Sequence, residues 1–277
     1  MIATVDGIRL GYEEAGSGGG GAAVRGGRGT DPTLLFLHGF PHNRSLWSPQ
    51  LAGLSAQARC IAIDLRGCGE STVAPPYSMD QYADDVAGFM DWLGIEQAVI
   101  CGLSMGGYVA LALWRRHRER VHALILADTR ATPDSEDARE KRRAMAQLAR
   151  EKGAAAVADA VIPGMVGKHT RENAPHIVDN VYRMLKSANV AGIVGALEAM
   201  RERPDSTPTL ATIDVLTLVV VGEDDVLTPV ADAEAMHRAI YGSRLQVLAR
   251  AGHVSNVERP AAFNHVVGEF LATVKHA

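Results

Sequence analysis

From residue 33 onward the chain alternates short, almost wholly apolar runs with longer helical patterns, and this alternation restricts the fold more than any other feature. The runs are Thr33–Leu37, Arg59–Ile63, Ala98–Cys101, Val121–Ala127, Val215–Val221 and Leu245–Leu248. Between them lie Met79–Leu93, Met105–Arg116, Pro229–Tyr241 and Pro260–Lys275, patterned as helices. Runs that are apolar at nearly every position suit strands covered on both faces. Strand–helix alternation of this kind predicts an α/β fold with a mostly parallel sheet and helices on both sides. In such sheets ligands sit beyond the carboxyl ends of the strands.

Upstream, Thr4–Glu13 alternates polar and apolar residues and reads as one further strand. Gly16–Gly29 carries eight glycines in fourteen positions but no Gly-Lys-Ser/Thr, so it reads as a flexible connection and not as a phosphate cradle. The alternation breaks between Thr129 and Pro208. Glu136–Arg150, His176–Lys186 and Val190–Met200 are helical in pattern there, with Pro163, Pro175, Pro204 and Pro208 at their borders. The expected organisation is a core of 1–128 and 209–277 with a helical lid at 129–208. The basic patch Arg139, Lys141, Arg142 and Arg143 reads as a solvated helix face.

Composition excludes several classes of function. Twenty-eight basic and 32 acidic residues leave a net charge of −4, without the basic excess of nucleic-acid or anionic-membrane binders. Three cysteines, Cys60, Cys68 and Cys101, form no C-x-x-C pair, which argues against a disulfide framework or a Cys-based zinc site. Met1–Glu14 has no apolar core of a signal peptide, and no apolar run approaches the length of a membrane helix. A cytoplasmic protein with neither nucleic-acid nor membrane partner is expected.

The most specific local signal is Gly102-Leu103-Ser104-Met105-Gly106. This Gly-x-Ser-x-Gly follows an apolar strand and opens a helix, the setting of a nucleophile elbow. There a sharp turn strains the serine and points Oγ out of the sheet, and the helix N-terminus adds partial positive charge. Gly102 and Gly106 flank the turn where a Cβ would crowd it. A serine hydroxyl is barely ionised at neutral pH, so it needs a histidine to take its proton and a carboxylate to orient that histidine.

Of ten histidines, His253 stands in a loop after the last apolar run and before the C-terminal helix. His117, His122, His237, His265 and His276 read as surface or boundary residues. For the carboxylate, Asp225 in Gly222-Glu223-Asp224-Asp225 is favoured, with Asp224 and Asp128 as rivals that also follow strands. The order Ser, Asp, His along the chain suits this architecture. An oxyanion needs donors, and the amides of Phe40, in His38-Gly39-Phe40-Pro41, and Met105 are the candidates. His38 and His42 are four apart, but Gly39 and Pro41 make a helix there implausible, so no metal pair is expected. His38 is expected to tie loops together by hydrogen bonds. In Asp64-Leu65-Arg66-Gly67-Cys68-Gly69-Glu70-Ser71 the Gly-x-Gly-x-x-Gly of a dinucleotide site is not met. Asp64 and Arg66 are expected in local pairing, and nothing marks a base for Cys68.

Taken together, His38–Pro41, Asp64–Ser71, Gly102–Gly107, Gly222–Asp225 with Pro229, and Gly252-His253 resemble the alpha/beta-hydrolase superfamily over nearly the whole chain. The resemblance implies a core sheet of about eight strands with a helical lid after the sixth, Ser104 as nucleophile, Asp225 as acid and His253 as base. A His-Gly-x-Pro segment is shared with epoxide hydrolases and haloalkane dehalogenases, but those use an aspartate where this chain has Ser104. Ser104-Met105-Gly106-Gly107-Tyr108 resembles carboxylesterases, enol-lactonases, carbon–carbon bond hydrolases and cofactor-free haloperoxidases. The esterase and enol-lactonase branch is nearest, because carbon–carbon hydrolases carry a longer glycine-rich loop at the position of His38–Pro41.

The expected activity is hydrolysis of small carboxylic esters or lactones through an acyl-enzyme, with no cofactor or metal. Carbon–carbon or amide cleavage, acyl transfer, and a ligand receptor on the same scaffold are the alternatives. Trp47, Tyr108, Met165, Tyr182 and Met184 are the expected substrate contacts. His253 has to be neutral to act as a base, and an unperturbed histidine titrates near about 6.5. Turnover is therefore expected to fall on acidification; a flat rate from pH 5 to 8 contradicts the assignment.

Overall fold

The computed structural model describes residues 1–16 and 32–276. The glycine-rich reading falls on residues that lie, from 17 onward, outside the described ones. Among the described residues eight strands form one sheet: β1 (Ile2–Val5), β2 (Ile8–Ala15), β3 (Thr33–Leu37), β4 (Arg59–Ile63), β5 (Ala98–Leu103), β6 (Val121–Ala127), β7 (Thr217–Gly222) and β8 (Arg244–Leu248). Their order is β1-β2-β4-β3-β5-β6-β7-β8. β1 and β2 pair antiparallel, and β2 runs antiparallel to β4. All pairings from β4 through β3 to β8 are parallel.

The apolar runs behave as double-sided strands should. Leu35 and Leu37 of β3 face one cluster with Ile100, Leu124 and Val219, while Leu34 and Phe36 face the other with Cys101, Ile125 and Val220. Each fully buried side chain of this size contributes roughly 1.5–3 kcal/mol relative to an exposed one. Helices Met79–Leu93 and Met105–His117 cover the first face, and helices Ser48–Leu54 and Pro260–Val274 the second. The helix at Met79 starts where the Ser78 side chain accepts from the Gln81 amide, and it ends at Gly94, whose φ of 67° suits a residue without Cβ.

Two expectations need correction. Thr4–Glu13 is not one strand but two, because Asp6 and Gly7 both take positive φ (45° and 82°) and fold the chain into a hairpin. The Asp-Gly pair is the local signal for that turn. The helix expected over Glu136–Arg150 runs to Met165, broken internally at Gly153. Of its basic residues Lys141 and Arg143 are exposed as expected, Arg143 pairing with Glu136 and Glu140, whereas Arg139 and Arg142 are half-buried and Arg142 reaches Asp134, whose side chain is 6% exposed. Helices Lys168–Asn173, Pro175–Lys186, Val190–Arg201 and Thr207–Leu210 follow this long helix before β7. No described helix is long and apolar enough to cross a membrane.

The register brings several strand ends to one edge. Leu37 pairs with Gly102, Leu103 with Ala127, Ala127 with Val220, and Gly222 with Leu248. The segments holding Phe40, Ser104, Asp128, Asp225 and His253 therefore all leave the sheet on the same side.

Candidate active site

Ser104 follows the last residue of β5 directly and precedes the helix Met105–His117. Its φ of 55° and ψ of −114° are strained for a residue with a Cβ. The surroundings enforce the turn. A Cβ on Gly102 would meet the Gly106 carbonyl oxygen at 2.2 Å, and one on Gly106 would meet the Leu37 oxygen at 2.1 Å. Both contacts are with main chain and cannot be relieved by a rotamer change. The expectation that neither position tolerates a side chain agrees with this packing.

His253 Nε2 lies 2.8 Å from Ser104 Oγ, and His253 Nδ1 lies 2.8 Å from Asp225 Oδ2. An ionised carboxylate only accepts, so Nδ1 carries the proton and the Nε2 lone pair faces the serine hydroxyl. Asp225 is itself held. Its Oδ1 accepts from the amides of Leu227 (2.8 Å) and Thr228 (3.0 Å), and its Oδ2 from Thr228 Oγ1 (2.6 Å). Burial pushes this carboxyl up, but the His253 charge and hydrogen bonds from His253 and Thr228 outweigh it and leave the carboxyl below its ordinary range.

The rivals separate by position. Asp224 is exposed, and its amide donates to the Ala251 carbonyl at 2.8 Å. Asp128 is fully buried but turns away from His253; it accepts from the Gly222 amide (2.8 Å) and from Ser255 Oγ (2.5 Å) and N (3.3 Å). Of the other histidines, His117 pairs with Asp84 at 2.7 Å and His237 with Ser243 Oγ at 2.9 Å.

The loop after β3 passes directly over the serine. A Cβ on Gly39 would lie 3.2 Å from Ser104 Cβ. The amides of Phe40 and Met105 donate to no described residue outside their own element. His38 is buried: its Nε2 accepts from the Leu65 amide at 3.0 Å, and its Nδ1 donates to the Gly39 carbonyl at 2.8 Å. Both ring nitrogens are therefore engaged, no lone pair is left for a metal, and the ring joins two loops as expected.

Asp64 and Arg66, expected in local pairing, each pair with a more distant partner. Asp64 takes the Arg44 guanidinium, which also reaches Glu70, while Arg66 makes a two-pronged pair with Asp85 at 2.5 and 2.7 Å. Burial, and then the nearby Asp64 charge, push the Cys68 thiol up to about 12, which keeps it an un-ionised, poor nucleophile.

The expected substrate contacts divide. Trp47 has no exposed surface; its ring stacks on Phe36 at 4.7 Å and lies 6.0 Å from Phe263, so it packs the core and is withdrawn as a substrate contact. Tyr108 stands one helical turn beyond Ser104, beneath the Arg203 guanidinium at 4.2 Å. Met165 is brought to the site, since its carbonyl accepts from the His253 amide at 3.0 Å. Tyr182 and Met184 pack partly buried against the cluster that contains Met165.

One participant had no sequence signal. Glu258 is 4% exposed and accepts from the amides of Gly252 and Gly167, each at 2.9 Å. Gly167 and Gly252 offer it main-chain groups, which any residue type supplies, and the Thr170 side chain is a further partner.

This architecture matches known proteins across its length. A family model described as the alpha/beta hydrolase fold matches residues 32–260. The chain belongs to that family. It is 36% identical over 242 residues to a 3-oxoadipate enol-lactonase of Acinetobacter baylyi, covering 87% of this chain and 89% of the relative. Among solved structures, a thermophilic esterase from Thermogutta terrifontis superposes with a TM-score of 0.91 at 38% identity, covering 99% of this chain and 98% of the other. The enol-lactonase from Burkholderia xenovorans superposes with a TM-score of 0.88 at 33% identity, covering 98% of this chain and all of that one (100%).

Proposed function

We propose that the protein hydrolyses small carboxylic esters or lactones through a serine acyl-enzyme. The observation that carries this reading is the continuous line of contacts from Ser104 Oγ through His253 to Asp225. Relatives described as esterases and enol-lactonases support the bond type.

Ser104 Oγ attacks the substrate carbonyl carbon while its proton passes to His253 Nε2. Asp225 holds the Nδ1 proton in place and offsets the positive charge of the imidazolium. The oxyanion formed at the carbonyl is met by the Phe40 and Met105 amides, each such donor typically worth about 3 kcal/mol. The carbon–oxygen bond to the leaving alcohol then breaks, and that oxygen takes the proton from His253. For a lactone the alcohol stays tethered to the acyl group. Water next gives a proton to His253 and adds to the acyl carbonyl, and collapse returns that proton to Ser104 Oγ and frees the acid. Segment 129–208 serves as the lid, with Tyr108, Met165, Tyr182 and Met184 bounding the acyl or alcohol pocket.

A p-nitrophenyl organophosphonate tests the covalent step. One equivalent of p-nitrophenol is expected per chain, with the adduct found on Ser104 by peptide mass spectrometry and ester turnover lost in parallel. Complete labelling of Ser104 with turnover intact contradicts the mechanism. Rates on a short-chain ester, a lactone, a vinylogous diketone and an anilide set the bond class, and the first two are expected to dominate.

A further inference from the structure

The loop carrying His253 is held by groups that take no part in the proton path. Gly252 donates its amide to Glu258 Oε1, His253 donates its own to the Met165 carbonyl, and Ser255 donates both amide and hydroxyl to Asp128 Oδ2. Three of the four amides from Gly252 to Ser255 are thus fixed to buried acceptors. Both carboxylates also reach a second loop. Asp128 accepts from Gly222, three residues before Asp225, and Glu258 accepts from Gly167 in the helical segment. Asp128 is fully buried and takes φ of 44°, a costly conformation for an aspartate and one its bonding partners must maintain.

We propose that Asp128 and Glu258 are positioning residues: without touching the reacting atoms, they grip the main chain on either side of His253 and fix the line from Ser104 Oγ to His253 Nε2. The inference rests on the reading of Ser104, His253 and Asp225 given above. A shift of about 1 Å at a reacting group costs roughly 10²-fold in rate, so a loop without these anchors loses turnover even when it still folds.

The two carboxyls differ chemically, and the difference supplies the test. Burial and then the adjacent Asp225 charge push the Asp128 carboxyl well above its ordinary range, against the bonds from Ser255 and Gly222. Asp128 Oδ1 accepts from the Gly222 amide, and Oδ2 meets the Ser255 hydroxyl at 2.5 Å and the Ser255 amide at the longer 3.3 Å. Asparagine keeps a carbonyl toward Gly222 and can donate to the Ser255 hydroxyl, which accepts as readily as it donates, so it loses only the longer contact from the Ser255 amide. Burial also raises the Glu258 carboxyl, but there both oxygens accept amide protons, from Gly167 and Gly252, with Thr170 and the Val254 amide as further partners. Glutamine keeps only one acceptor and turns an NH2 group against an amide donor.

The experiment measures kcat and KM on p-nitrophenyl acetate for Asp128→Ala, Asp128→Asn, Glu258→Ala and Glu258→Gln, with Ser104→Ala as control and folding checked by near-UV circular dichroism. Both alanine variants are expected to lose about 10²-fold in kcat with KM little changed. Asp128→Asn is expected to recover most of the loss, and Glu258→Gln little of it. If an alanine variant fails to fold, Ser255→Ala removes only the hydroxyl contact and is expected to lower kcat about tenfold, roughly one lost hydrogen bond. The inference is overturned if folded variants lower only the melting temperature and keep wild-type kcat. It is equally overturned if Asp128→Asn is as slow as Asp128→Ala. Full turnover by Ser104→Ala defeats the underlying reading instead, whatever the other variants do.

Discussion

Ser104→Ala is expected to lower kcat on a short-chain p-nitrophenyl ester by about 10⁴- to 10⁶-fold, with the melting temperature nearly unchanged. The magnitude follows from the role: alanine removes the attacking oxygen, leaving only what substrate binding and the oxyanion donors give over water. The stability follows from the geometry. Ser104 sits at φ of 55°, where the strain belongs to Cβ and the backbone, and alanine keeps both. The amide of residue 104 continues to donate to the Ala127 carbonyl at 2.9 Å, so the turn remains tied to β6. Stopped-flow or initial-rate measurement on protein cleared of contaminating esterases checks the prediction. Turnover within an order of magnitude of wild type removes Ser104 from the mechanism.

Asp225→Asn is expected to cost about 10⁴-fold in kcat, although it changes the side chain by a single group. The carboxylate's neighbours dictate how the amide orients. Oδ1 accepts from two main-chain amides, Leu227 and Thr228, which cannot face an NH2 group. The asparagine oxygen must therefore take that place and turn Nδ2 toward His253 Nδ1. An N–H pointing at Nδ1 forces the imidazole proton onto Nε2, where it faces the Ser104 hydroxyl with a proton instead of a lone pair. The fold is untouched and the base is presented in the wrong tautomer. Wild-type kcat in a folded Asp225→Asn protein excludes this aspartate as the orienting acid; Asp224→Asn, at an exposed site, is the matched control.

What could be read from the chain and what could not divide along physical lines. Ser104 and Phe40 each stand just past a strand buried at nearly every position, and His253 past the more exposed last strand, so strand ends and the side chains beyond them are locally marked. Asp225 is marked less clearly than these, because Asp224 follows the same strand and the choice depends on which carboxylate the tertiary structure buries. The pairing of Arg44 with Asp64, in place of Arg66, spans twenty residues and a change of element, and spacing carries no trace of it. Trp47 shows the converse: a large amphipathic ring before a helix is equally suited to a pocket or to the core, and only Phe36 and Phe263 around it decide. Glu258 was illegible for a simpler reason, since most of its donors are amides, which have no letter of their own, and Thr170 lies 88 residues away.

The seam where the helical segment meets the loop of the base joins main chain to main chain at Met165 and His253, and main chain to one acid at Gly167 and Gly252. Ala158 packs in the same cluster as Ala251, Val254 and Met165 beside it. On the function proposed above, the segment that would bound the pocket also carries part of the support for His253. A designer choosing a new acyl group there would therefore have to keep the course of the main chain at Met165 and Gly167.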